Sequence, residues 1–93
     1  MKVGICSFKM IMYEGGSLKE KRMIVRSLIQ RIRSRYNVSI SEVADHEKWK
    51  LATIGFCCIS NEKQHVERTM QEVIRFAEAD GRMELMDIET EIV

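Results

Sequence analysis

The chain has 93 residues, enough to bury one core but not two, and 45% hydrophobic with 31% charged residues describes a globular protein. No run approaches the roughly 18 apolar residues of a membrane span, and Met1-Lys2 leads directly into strand-like residues, so the expectation is one cytoplasmic domain over residues 1–93 without a membrane partner. Fifteen basic residues against fourteen acidic ones give a net charge of +1, which argues against nucleic acid only if the charge is evenly spread.

It is not evenly spread. Ser17–Tyr36 carries Lys19, Lys21, Arg22, Arg26, Arg31, Arg33 and Arg35 against Glu20 alone, a sum of 7 − 1 = +6. Residues 78–91 hold six carboxylates against Arg82, a sum of −5. Cys6, Cys57 and Cys58 show neither CxxC spacing nor a nearby histidine pair, so they read as small buried hydrophobes in a reducing compartment, with no metal site and no cofactor.

In chain order, Lys2–Tyr13 is a strand with Gly4, Cys6, Phe8, Met10 and Met12 on one face and Val3, Ile5 and Ile11 on the other. Gly15-Gly16 marks a turn, and Ser17 with Glu20 three residues on is a capping box opening a helix that ends near Tyr36-Asn37. Leu18, Val25, Leu28, Ile29, Ile32 and Tyr36 fall in a band about 100° wide, while Arg22, Arg26, Gln30 and Arg33 line another side. Lys21 falls inside the apolar band. Its amine can run to the helix end, pair with a carboxylate such as Glu42, or sit reactive with a depressed pKa.

Asn37–Ala44 alternates Val38 and Ile40 inward and slips phase to Val43, which predicts a bulge near Ser41-Glu42. A polar turn over Asp45–Lys50 holds Trp49, and Leu51–Ser60 follows as an interior strand with Ala52, Ile54, Phe56 and Cys58 inward. Asn61 is the expected N-cap of a second helix packing through Val66, Met70, Val73, Ile74 and Ala77, with Gly81 as its left-handed stop. Arg82–Val93 is a strand alternating Met86, Ile88, Thr90 and Ile92 against Asp87, Glu89 and Glu91. The order βαββαβ predicts an α+β ferredoxin-like sandwich: a four-stranded antiparallel sheet with two helices on one face. Its other face would show Val3, Ile5, Ile11, Leu51, Cys57 and Ile59 to water, a surface suited to a homo-oligomer, most simply a dimer.

The runs SLKEKR (Ser17–Arg22) and NVSISEV (Asn37–Val43), Trp49 in the following turn, and IGFCCISN (Ile54–Asn61) resemble the YlxP-like family of small bacterial proteins, a domain of unknown function. The resemblance implies a ferredoxin-like fold and no established enzymatic activity. It singles out Ser17, Lys21, Asn37, Glu42 and Trp49 without assigning them roles, and family members' placement among transcription and translation factors implies an RNA- or ribosome-related role by association.

From the residues themselves, Lys19, Arg22, Arg26 and Arg33 are the candidate contacts to structured RNA or a ribonucleoprotein. If about three phosphates are neutralised, affinity falls roughly 40-fold between 50 and 200 mM salt. A base-stacking sheet is not expected, because IGFCCI lacks the basic lead and the second aromatic and directs Phe56 inward. No catalytic residues are assigned: Asp45-His46-Glu47 has no nucleophile beside it, and Gly15-Gly16 lacks the ending of a phosphate-cradling loop. The alternative function is a homo-oligomeric protein-interaction module with no nucleic-acid role.

Overall fold

A computed structural model describes residues 1–13 and 16–93. Its elements are β1 (Lys2–Met12), α1 (Leu18–Arg35), β2 (Ser39–Ala44), β3 (Leu51–Ser60), α2 (Lys63–Glu78) and β4 (Met83–Ile92). The sheet order is β2-β3-β1-β4 with every pairing antiparallel, and the two most apolar strands are central, as the ferredoxin-like expectation requires. The turn expected at Gly15-Gly16 begins outside the described residues.

Alternation in the sequence places the core. Cys6, Phe8, Met10 and Met12 of β1 and Ala52, Ile54, Phe56 and Cys58 of β3 face the helices, all buried. α1 closes over them with Val25, Leu28, Ile29 and Ile32, and α2 with Val66, Met70, Val73 and Ala77. Gly4 makes the second closure possible: a Cβ there would lie 2.5 Å from Val66 Cγ1 and 2.9 Å from the Met70 sulfur.

Three local expectations change. The bulge in β2 falls between Glu42 and Ala44, so Glu42 keeps the inner phase and Val43 turns outward, 55% exposed. The second helix starts at Lys63 with Glu62 as N-cap rather than Asn61, since Ser60 Oγ accepts the Glu62 N–H at 3.3 Å and holds the connection one residue longer. In β4 a bulge opposite Phe8, with Asp87 at φ 52°, reverses the phase mid-strand. Met83 and Leu85 therefore point inward and Met86 outward, 43% exposed, against the uninterrupted alternation read from sequence. Gly81, at φ 84°, supplies the expected left-handed residue between α2 and β4.

Candidate nucleic-acid interface

Ser17 has extended backbone angles, and its side-chain oxygen accepts the Glu20 N–H at 3.1 Å, satisfying one of the orphan donors at the α1 N-terminus. This cap fixes the helix phase. Lys21 consequently faces the interior, and only 1% of it is exposed.

Lys21 meets Glu42. Its Nζ lies 2.8 Å from Glu42 Oε2, in an ion pair whose approach is off the hydrogen-bonding direction. The same amine donates to the carbonyls of Asp45 at 2.7 Å and His46 at 3.4 Å. One buried cation thus joins the first turn of α1 to the end of β2 and to the β2–β3 turn, where a long stem and a compact ammonium fit better than a guanidinium. Of the alternatives open in the sequence, the paired amine is the one found. The two family blocks SLKEKR and NVSISEV touch through Lys21 and Glu42.

The turn is further braced by Asp45, which takes φ 64°, a left-handed value that aspartate tolerates. Its carboxylate accepts from Thr53 Oγ1 at 2.6 Å and pairs with Lys48 at 3.0 Å, and these two contacts, Thr53 first, hold its pKa below the ordinary value. Trp49 stands 44% exposed beside Lys50, whose ammonium lies 5.4 Å from the ring centroid. Asn37 is exposed just past the end of α1.

The basic residues of α1 divide by partner. Arg31 bonds Asp80 and, like Arg35, lies over the Phe76 ring of α2, at 5.7 Å and 5.1 Å respectively. Asp80 also takes two bonds from the Arg82 guanidinium and one from its backbone N–H, and the guanidinium contacts, Arg82 first, hold its carboxyl far below the usual range. On the opposite side of α1, Arg33 donates to the Ile40 carbonyl at 2.8 Å, and His46 Nε2, necessarily the protonated nitrogen, donates to the Glu42 carbonyl at 3.0 Å. Two carbonyls of the short outer strand β2 are thereby occupied, which blunts that edge against strand addition.

Lys19, Arg22 and Arg26 are left. All three are exposed, and among the described residues no carboxylate lies within 4.0 Å of their charged nitrogens. Arg22, Arg26, Gln30 and Arg33 form one wall of a groove of about 460 Å³ whose other wall is Ser41 and Glu42 of β2, with Val25 and Ile29 at its floor. A larger groove of about 620 Å³, between α2 and the end of β4, mixes Lys2 and Lys63 with Glu67 and Glu91 and has no dominant sign. A third groove of about 440 Å³, lined by Arg35, Arg68 and His65, is cationic as well; the α1–β2 groove is the one that carries the arginine stripe of α1.

Sequence reasoning named the stripe but missed the tie between Arg33 and Ile40, and it missed Asp45, His46 and Thr53 as parts of the Lys21 brace. Main-chain acceptors leave no signature in side-chain patterning.

The fold and this groove define a small ferredoxin-like α+β protein with a cationic helix face and a buried lysine brace. Comparison with known proteins specifies it further: residues 3–90 match the family model described as "Protein of unknown function (DUF503)", and the chain belongs to that family. It is 30% identical over 89 residues to the uncharacterized protein YlxP of Bacillus subtilis (strain 168), a match spanning 96% of this chain and 97% of that protein. No described helix is long and apolar enough to cross a membrane.

Proposed function

We propose that the α1–β2 groove binds the phosphate backbone of structured RNA, making the protein a non-enzymatic RNA- or ribosome-associated accessory. The observation that carries this reading is the exposed row Lys19, Arg22 and Arg26, which has no carboxylate partner among the described residues and whose two arginines line the groove, while the remaining basic residues of α1 have partners or serve packing. Arg22 and Arg26 are four residues apart, so their guanidinium groups stand about 6 Å apart along the axis and can each fork onto a phosphate. Gln30 and Ser41 add neutral donors at the same level.

The reading is one of backbone contact without base readout. The groove's lining has no aromatic side chain on which a base could stack, and Trp49 is not part of it. Affinity is accordingly modest, salt-dependent and weakly sequence-selective.

The test is a titration of a structured RNA at low salt with the wild-type chain and with an Arg22→Gln/Arg26→Gln variant. The expected result is measurable binding by the wild type and its loss in the variant with the melting temperature unchanged, since both side chains are exposed. Equal binding by both, or none by either, rejects the reading.

A further inference from the structure

We propose that the open face of the sheet binds a second copy of this chain, in a face-to-face dimer whose two-fold axis runs parallel to the strands. The proposal stands independently of the RNA reading, because α1 lies on the other layer of the sandwich.

The face is apolar where it is central. Ile5 of β1 is 44% exposed and Ile59 of β3 is 59% exposed, with half-buried Val3 and Cys57 beside them. Val43 continues the surface over Gly55, where its Cγ1 is 3.1 Å from the site a Cβ would occupy. Three strands of ten or eleven residues and the six of β2 give a footprint of roughly 600 Å² before side-chain relief is counted, below the about 800 Å² per partner of a standard interface.

Neither edge offers a better route to self-association. The β2 edge has carbonyls engaged by Arg33 and His46, and pairing β4 with another β4 would align its own carboxylates.

Charge then selects the axis. Aligned sheet packing permits a two-fold either across the strands or along them. An axis across the strands lays β4 antiparallel on its own copy, so that the outward carboxylates of one β4, Glu84, Glu89 and Glu91, face those of the other in a partly dehydrated interface. An axis along the strands keeps every residue at its level and exchanges β1 with β3 and β2 with β4. Through the strand register, Glu91, Ile5, Cys57 and Ser39 share one level, and Glu89, Ser7, Gly55 and Ser41 the next but one. The rotation therefore sets Ile5 against the partner copy's Cys57, and the two glutamates against serine hydroxyls. At the next outward-facing level Lys9, which pairs with Asp87 of its own β4 at 3.7 Å, meets the Thr53 position, where the Asp45 carboxylate is bound. The surface is complementary to itself in this orientation and repulsive in the other.

Sedimentation equilibrium at high micromolar concentration tests the face, with Ile5→Glu and Ile59→Glu as variants; both positions are exposed in the single chain, and circular dichroism verifies folding. The expected result is a wild-type dimer and monomeric variants. A monomeric wild type overturns the proposal and leaves the face to a partner of another kind, and a dimer that survives both substitutions places the contact elsewhere and overturns it equally. For the axis, Ser41→Cys and Glu89→Cys chains, each also carrying Cys57→Ser, are treated with a short bis-maleimide. A cross-link formed only in the mixture is expected; a cross-link in Glu89→Cys alone overturns the axis.

Discussion

Replacing Lys21 tests how the helix is held against the β2–β3 turn. In Lys21→Met the stem is nearly preserved, but Glu42 loses its cation and the Asp45 carbonyl loses its 2.7 Å donor. Removing one partner of a buried pair costs about 3–5 kcal/mol, and the 15% exposure of the Glu42 side chain lets water relieve part of that, so the lower end, about 3 kcal/mol, applies. For a chain of this size each kcal/mol moves the midpoint by about 4–8 °C, so the melting temperature should fall by roughly 12–24 °C. The double variant Lys21→Met/Glu42→Leu has no stranded charge and should recover about 2 kcal/mol of the loss, a coupling readable in a double-mutant cycle by urea denaturation. A Lys21→Met penalty below about 1 kcal/mol, or additive effects of the two substitutions, would refute the buried brace.

Other consequences are open to measurement. The Asp80 carboxyl has its pKa depressed by Arg82 and Arg31, so its contribution is complete above the unfolded value near 4 and is lost as pH falls toward the folded one; Asp80→Asn should cost about 1–2 kcal/mol at pH 7 and flatten the acid limb of the stability profile. A limb unchanged in that variant would assign the acid sensitivity to other groups. Gly4→Ala drives a methyl into Val66 and Met70 and should destabilise by about 1–3 kcal/mol in chemical denaturation, whereas Gly16→Ala, with nothing within 4 Å, should avoid any overpacking penalty. Burial, reinforced by Cys58, pushes the Cys6 thiol up to about 11, so Cys6 should resist iodoacetamide until the chain unfolds, while half-buried Cys57 reacts in the folded monomer. Mass mapping of the alkylated cysteines decides between them.

Most of the architecture is written in periodicity. β1 and β3 alternate without interruption, α1 carries its apolar band between a serine cap and Tyr36, and these patterns suffice for the order and the centre of the sheet. The bulges were legible only in part: the phase slip in β2 signals one beside Glu42 but not which residue it turns outward, and β4 shows no slip at all, so Val43 and Met86 both look like inward positions until the strand register is known. Asp45 and Asp87 occupy left-handed backbone that a glycine would have announced and an aspartate does not. The site divides the same way. The exposed arginine stripe follows from the helical period alone, but the lysine brace depends on two main-chain carbonyls and a carboxylate more than twenty residues away, which no local pattern encodes. The charge sum of +6 overstated the interface, since Lys21, Arg31 and Arg35 are committed to partners within the fold.

The most direct test of the groove as a phosphate-binding surface is the slope of log affinity against log salt for a structured RNA. Three phosphate contacts by Lys19, Arg22 and Arg26 predict a slope between about −2 and −3, and Arg22→Gln should make it shallower by about one. Arg68→Gln, an exposed position on α2, should leave both slope and affinity unchanged. A slope near zero, or an equal effect of the Arg22 and Arg68 substitutions, would contradict the account.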